Sequence, residues 1–348
     1  MICKVTYRHV PRTPKAEDVQ SDDGSYFHLH FLIPKEGDPV TEHAESDAGL
    51  PMTISDRLSW ALELELAMRG AGFTWSSADV RHTRRTWRPS RSDRLHSIFV
   101  HVLPVLFGSW AIIRGVHVKY LASTTDKSNG EGDFDVLPYL AQIALTAALG
   151  AFLMAAFSLG HSIFAILLSV FHPHPLSYFP PLYTKRIWEI TSVRGFWSYG
   201  WHRLFSRLFL IFGSWPGEWV ERTLTGKRKE EAADVGKVMG AFVCSAFVHS
   251  FAGHTVVPGG WKNASGEAWF FCANAVAVVV EEVVRRYVLQ MRKKGSEKNT
   301  DAGHEDSLER WYDSILGRIW WLSILMYTGR NFARGWALAG LVREMSFA

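Results

Sequence analysis

The chain has 348 residues, 47% of them hydrophobic and 21% charged, with a formal net charge of +4. This length accommodates one large domain or two smaller ones. The three cysteines, Cys3, Cys244 and Cys272, exclude a disulfide-stapled scaffold and form no metal-ligand pattern. The mean hydropathy lies near zero because polar and apolar residues are segregated into separate blocks.

The N-terminal residues 1–57 form a polar segment with one strand-like run at 26–33. His28 and His30 alternate in this run, but no third ligand lies nearby, so we predict no metal site. The segment lacks the uninterrupted apolar core of a secretory signal peptide. We therefore expect an internal segment to target the chain to a membrane.

A helix is predicted to begin at Ser55, a good N-cap residue that precedes a series of strong helix formers. The glycines of segment 69–75, with the sequence Arg-Gly-Ala-Gly-Phe-Thr-Trp, should end it.

The following part of the chain alternates basic and apolar blocks. Residues 81–94 contain six arginines and one acidic residue, which is a pattern compatible with nucleic-acid binding or with the cytoplasmic flank of a membrane helix. The second interpretation is favoured because an apolar segment of spanning length follows at once, so no nucleic-acid partner is expected. Apolar segments of membrane length are predicted at 97–116, 137–171, 238–257, 268–289 and 315–342.

Two of these segments are longer than one crossing requires. Residues 137–171 fit one long tilted helix or two helices broken near Gly160 and His161, where His161 would have a structural role. Residues 315–342 are interrupted by Arg330 and fit one or two helices. Basic blocks at 185–207 and 227–229 should share the cytoplasmic side with residues 81–94.

His249 is a lone histidine at the centre of the apolar segment 238–257. A titratable side chain is costly inside a membrane and is therefore a candidate functional residue. A histidine that only hydrogen-bonds within a packed helix bundle is the alternative, and the residue alone does not decide between them.

Four motifs in order favour the functional interpretation. They are the RGxGxxW segment at 69–75, a Pro-Pro-Leu-Tyr turn at 180–183, an S-x-R-x-F-W segment at 192–197 that leads into Trp-His-Arg at 201–203, and the apolar helix with His249. Together they resemble the wax-synthase-like branch of the membrane-bound O-acyltransferases, including the fungal enzymes that acetylate terpenoid and meroterpenoid alcohols.

The resemblance implies an all-α, multi-pass transmembrane helical bundle that occupies residues 58–348. Enzymes of this family usually have further membrane helices before the RGxGxxW segment, so we expect this chain to lack some N-terminal helices. The localisation implied is the endoplasmic reticulum membrane.

The resemblance also implies a reaction. Acyl-CoA, in the first instance acetyl-CoA, would be the co-substrate, and a lipophilic alcohol such as a terpenoid or another secondary metabolite would be the acceptor, with no bound cofactor. Long-chain wax-ester synthesis is one alternative, and a non-catalytic membrane transporter or scaffold is another.

We predict that His249 is the general base, because a neutral imidazole can take the proton of the attacking hydroxyl. Ser245 and Gly253 lie one turn away on either side of it, and small residues there leave room for the substrates. Cys244 lies about 140° around the helix from His249 and is predicted to be a small core residue rather than a nucleophile.

His202 is the second predicted catalytic residue. In related acyltransferases the segment that corresponds to 196–202 ends in Trp-Asn, and that Asn belongs to the active site; a histidine can also donate a hydrogen bond there. An interfacial role beside Trp201 is the alternative. The residues predicted to contact substrate or CoA are Arg194, Trp197, Trp201, Arg203 and Ser245.

Two acidic residues follow a series of apolar residues near the end of segment 268–289. Glu281 and Glu282 are predicted to pair with Arg285 and Arg286 along one helix, which explains them without a catalytic role.

Overall fold

The computed structural model describes residues 90–121, 134–170, 179, 181–183, 185–202, 204–256, 260–297 and 311–345, together with Ile54 and Leu58. The helix predicted from Ser55, the RGxGxxW segment and the run at 26–33 therefore lie outside the described residues. The boundary between residues 57 and 58 stays a prediction.

Every regular element of the described residues is a helix, which confirms the all-α prediction. Short 3-10 helices at Phe134–Val136 and Ile187–Glu189 and π-helical turns at Phe196–Gly200 and Leu210–Ser214 accompany the α-helices. The helices are α1 (Arg91–Leu121), α2 (Tyr139–Leu168), α3 (Val193–Gly195), α4 (Ser206–Phe209), α5 (Trp215–Thr225), α6 (Asp234–Val256), α7 (Trp261–Glu297), α8 (Trp311–Leu338) and α9 (Leu341–Met345).

The chain divides into two compact units. The larger contains Ser92–Ile163 and Leu182–Ala348, and the smaller contains Met1–Arg91 and Phe164–Pro181. In the smaller unit, the Arg91 guanidinium donates to the carbonyl of Ser169, and the rings of Phe164 and Phe179 meet edge to face at 5.7 Å.

Among the residues that the structure describes, three helices are long and apolar enough to cross a membrane, namely α1, α2 and α6. The most apolar window of α2 has a mean hydropathy of 2.0, yet only 17% of that window is buried inside the protein. Large apolar side chains such as Leu140 and Phe247 point outward, and water would not favour so much exposed apolar surface. These faces suit contact with lipid, as expected of a membrane protein.

Segment 137–171 is not broken near Gly160, and segment 315–342 is broken after Leu338, at Gly340 with its positive φ, and not at Arg330. Helix α2 passes through Gly160 without interruption, and His161 Nδ1 lies 3.4 Å from Arg94 Nη1. Helix α8 passes through Arg330, whose Nε donates to Gln142 Oε1 at 2.8 Å and whose guanidinium lies 4.8 Å from the ring centre of Tyr139. A half-buried cation with these partners does not force the helix to end.

One core joins α1, α2, α8 and α9. Leu145 and Ile113 are fully buried in it, and Phe134 and Val342 are each 1% exposed. The indole of Trp110 donates to the backbone carbonyl of Met345 at 2.7 Å, which fixes α9 against α1.

Helices α5 and α6 approach so closely that their backbones touch. A β-carbon on either Gly217 or Gly236 would overlap the carbonyl oxygen of the other glycine, and one on Gly213 would lie 2.6 Å from the carbonyl oxygen of Gly240. Close contact of this kind requires residues without side chains. The glycines therefore set how α6, and with it His249, is placed.

We predict that Gly217→Ala destabilises the protein, because the new methyl group must push α5 and α6 apart. Overpacking typically costs about 1–3 kcal/mol. Gly150→Ala is the matched control, since nothing lies within 4 Å of a β-carbon at that position in α2. Thermal unfolding in detergent should show a lower Tm for Gly217→Ala and an unchanged or higher Tm for the control. Equal Tm values for both variants would contradict the prediction.

Candidate active site

The segment 190–202, which contains the S-x-R-x-F-W motif, is held against α8. Its carbonyl at Ile190 accepts a hydrogen bond from the indole of Trp321 at 2.9 Å, and Phe196 stacks on the same indole at 5.5 Å. Gly317 of α8 lies directly against the carbonyl of Thr191 and leaves no room for a side chain.

The same segment is fixed to α7 by a carboxylate. Glu281 accepts hydrogen bonds from the backbone amides of Val193 at 2.7 Å and Arg194 at 3.3 Å, while Ser192 Oγ accepts from Gly195 N at 2.8 Å. These acceptors satisfy the free amides at the start of α3. Glu281 thus caps the first turn of α3, a role that the predicted intrahelical pairing did not include.

Arg194 is predicted to meet CoA, and its guanidinium is paired. Nη1 lies 3.2 Å from Glu282 Oε2. Glu282 also accepts from Arg286 at 2.7 Å and from Arg285 at 3.4 Å, as predicted for this residue. An anionic ligand at Arg194 would therefore meet a network of cations that share one carboxylate. Arg203 lies outside the described residues.

Trp197 lies at the centre of an aromatic cluster between α6 and α7. Its ring centre is 5.4–5.8 Å from those of Phe242, Phe270 and Phe271. The indole nitrogen donates to Asn274 Oδ1 at 3.1 Å, and the Asn274 side chain is fully buried. Trp197 is therefore held in one orientation by packing and by a hydrogen bond.

Sequence reasoning missed Asn274. Its amide donates to Thr328 Oγ1 at 3.0 Å and to the carbonyl of Phe270 at 2.8 Å, so it joins segment 190–202, α7 and α8. A single amide in an otherwise apolar stretch of α7 is the signal that could have found it, because buried amides need partners.

His249 is half-buried on α6 and faces α7. Its imidazole stacks on Phe271, with ring centres 4.5 Å apart and an angle of 24°, and Phe332 of α8 lies 6.4 Å away. No hydrogen bond joins the imidazole to another part of the chain within the described residues. The ring is thus positioned by aromatic contacts, and its nitrogens are left for a ligand.

The small residues around His249 have different surroundings. Ser245, one turn earlier, is buried. Gly253, one turn later, faces the carboxylate of Glu267. Cys244 packs where α6 crosses Gly213, at a different face of the helix from His249.

His202 lies in a second aromatic environment. Its ring centre is 4.7 Å from that of Phe157 and 5.1 Å from that of Trp201. Within the described residues no contact joins the imidazoles of His202 and His249. A chain of rings connects them, because Trp201 lies 6.2 Å from Trp197, which in turn contacts Phe271.

A metal site is not evident in this region, since no three His, Cys, Asp or Glu side chains of the described part of the chain are grouped so as to hold an ion.

Comparison with known proteins places these residues in context. Residues 179–273 match the model of the Membrane bound O-acyl transferase family. The resemblance to membrane-bound O-acyltransferases is confirmed. The matched part covers a little over a quarter of the chain, and both histidines of the candidate site lie in it.

Two curated fungal proteins are similar to this membrane-bound O-acyltransferase-like chain. An O-mevalon transferase of Aspergillus niger is 25% identical over an alignment of 310 residues that covers 84% of this chain and 66% of the relative. An acetyltransferase of Hericium erinaceus is 26% identical over 234 residues, which are 67% of this chain and 59% of the relative. The chain thus spans less than two thirds of the length of these relatives. No solved structure matches it.

We predict that Trp197→Phe destabilises the protein by about 1–3 kcal/mol, because the fully buried Asn274 oxygen loses its donor while most ring contacts remain. Trp269→Phe is the matched control, since Trp269 is exposed on the same helix as Asn274. Denaturant unfolding in detergent should separate the two variants. An equal free energy of unfolding would show that the Trp197–Asn274 hydrogen bond is unimportant for stability.

Proposed function

We propose that this chain transfers an acyl group from acyl-CoA to the hydroxyl of a lipophilic alcohol. The observation that carries the proposal is His249, an imidazole without a hydrogen-bond partner in the described structure, held by aromatic stacking in the region that matches the acyltransferase family. The names of the two relatives, both transferases, support it.

The chemistry requires one base. His249 would take the hydroxyl proton as the alcohol oxygen attacks the thioester carbonyl, which gives a tetrahedral intermediate and an imidazolium. The carbon–sulfur bond then breaks, and the imidazolium returns the proton to the departing thiolate. An ester and free CoA are the products, and the base is regenerated.

The negative oxygen of that intermediate needs a hydrogen-bond donor. We propose that His202 supplies one. Trp197 and Trp201 would line the substrate site, and buried Ser245 would border it near the base.

The proposed donor is acetyl-CoA, and the proposed acceptor is a terpenoid or a similar secondary metabolite. The name of the Hericium relative favours acetyl transfer. Long-chain wax-ester synthesis is the alternative within the same chemistry.

We place the protein in the endoplasmic reticulum membrane, with α7 and α8 as further crossings beside α1, α2 and α6. The salt bridge between Arg292 and Asp313, with Nη1 and Oδ2 2.6 Å apart, joins the end of α7 to the start of α8. In this arrangement the end of α7 and the start of α8 lie on the cytoplasmic side, together with the basic block 185–207. Arg194 and Arg203 would then meet the CoA phosphates there, with phosphate displacing Glu282 from Arg194.

A non-catalytic scaffold or transporter is the rival function, and His249→Ala tests it. We predict normal abundance of the variant in membranes and a fall in acyl transfer of at least ~10²-fold, because the base is lost. His254→Ala is the matched control, since His254 lies on the same helix with its ring 4.6 Å from that of Trp261. The measurement is the initial rate with radiolabelled acetyl-CoA per amount of inserted protein. Near-normal turnover of His249→Ala would rule out the assignment.

The role of His202 is tested by a graded series. His202→Asn keeps an N–H donor and should retain part of the activity, whereas His202→Leu keeps bulk, removes the donor and should lose ~10²–10³-fold in rate. An interfacial anchor would tolerate Leu, and any loss would appear as less inserted protein. The same assay, normalised to inserted protein, distinguishes the two outcomes.

A further inference from the structure

Glu267 is a buried acid that the proposed mechanism does not use. Its side chain on α7 is only 6% exposed, and Oε2 has no hydrogen-bond partner within the described structure. The described acids further along α7 differ, since Glu281 accepts from two backbone amides and Glu282 from three arginines. A buried polar atom without a partner calls for an explanation, and a bound ligand is one.

Glu267 belongs to the same helix contact as His249. A β-carbon at Gly253 would lie 3.1 Å from Glu267 Oε2, so the carboxylate lies against the bare backbone of α6. One turn earlier in α6 and one turn later in α7, His249 stacks on Phe271. The pairs Gly253–Glu267 and His249–Phe271 are therefore successive layers of one antiparallel contact, about one helical turn apart.

The packing of α7 directs Glu267 towards this contact. The preceding residue, Gly266, lies against α8, where a β-carbon would be 2.7 Å from the carbonyl oxygen of Asn331. Gly253 presents no side chain and no donor to the carboxylate. The acid is thus placed beside the candidate base with an acceptor oxygen that the described chain does not satisfy.

We propose that Glu267 binds a second hydroxyl of the acceptor, so that the preferred substrate is a lipophilic diol or polyol. This inference rests on the proposed function. A simple long-chain alcohol has one hydroxyl, which must face His249, and it would leave the buried carboxylate unsatisfied. An acceptor with a further hydroxyl about one helical turn away satisfies both groups. A site built to hydrogen-bond a substrate hydroxyl selects against analogues that lack it.

The test compares acetyl transfer to dodecan-1-ol with transfer to dodecane diols whose second hydroxyl is moved stepwise from carbon 2 to carbon 6. The wild type should favour one diol by about 10- to 100-fold in kcat/KM, the range expected when a buried polar group otherwise stays unsatisfied. Glu267→Leu should abolish this ratio while transfer to dodecan-1-ol stays within about threefold. Glu267→Gln keeps an acceptor oxygen and should retain part of the ratio.

Glu230→Gln is the matched control, because Glu230 is exposed in the turn before α6, and it should keep the wild-type ratio. A wild-type ratio near one for every diol, or a full ratio in Glu267→Leu, would overturn the inference and leave the proposed function intact. Absence of transfer to any alcohol would instead count against the proposed function.

A readout without turnover separates these cases further. Dicyclohexylcarbodiimide reacts with carboxyl groups in apolar surroundings, and its adduct on Glu267 can be measured by peptide mass spectrometry of the full chain. The preferred diol should protect Glu267 from modification, whereas dodecan-1-ol should not. Equal protection by the diol and by dodecan-1-ol, or protection by neither, would contradict diol binding at Glu267. This measurement uses the wild-type chain, so it remains decisive if a Glu267 variant fails to insert.

Discussion

The organisation of the candidate site depends on one constraint, which is that the backbone of segment 190–202 must be satisfied inside an apolar helix bundle. An unpaired amide or carbonyl is expensive there, because no water competes for it. Glu281 accepts from the amides at the start of α3, and the Trp321 indole donates to the carbonyl of Ile190. These two side chains determine where the irregular segment lies against α7 and α8.

Fixing that segment also fixes the aromatic cluster. Trp197 follows closely after α3 begins, and its hydrogen bond to Asn274 selects one orientation of the indole. Phe271 packs on that indole, and His249 in turn stacks on Phe271. The position of the imidazole is therefore coupled, through two rings, to the carboxylate that holds segment 190–202. Aromatic contacts of this kind restrict rotation without occupying the ring nitrogens.

Helix α6 is positioned from its other side by glycines. Where Gly217 meets Gly236, the backbones of α5 and α6 are in contact, so sliding or rotation of α6 is sterically limited. Two contacts thus position His249. The glycine contact limits the sliding and rotation of α6, and the aromatic contact determines the plane of the imidazole ring. Both are packing constraints, and neither neutralises the basic nitrogen.

The sequence by itself determined the helical class, the apolar segments and the family resemblance, and it identified both histidines as candidate catalytic residues. These features depend on local composition and on motifs of a few residues. The sequence could not decide that α2 continues past Gly160 and α8 past Arg330, that Glu281 caps α3, that Asn274 bonds Trp197, or that Glu267 lies against Gly253. Those outcomes depend on which turns of distant helices lie side by side. The partner of Arg330, for example, is 188 residues away. Only the tertiary structure sets how one helix is aligned against another. Interhelical contacts and buried hydrogen bonds form between residues that are far apart in the sequence and have no fixed spacing.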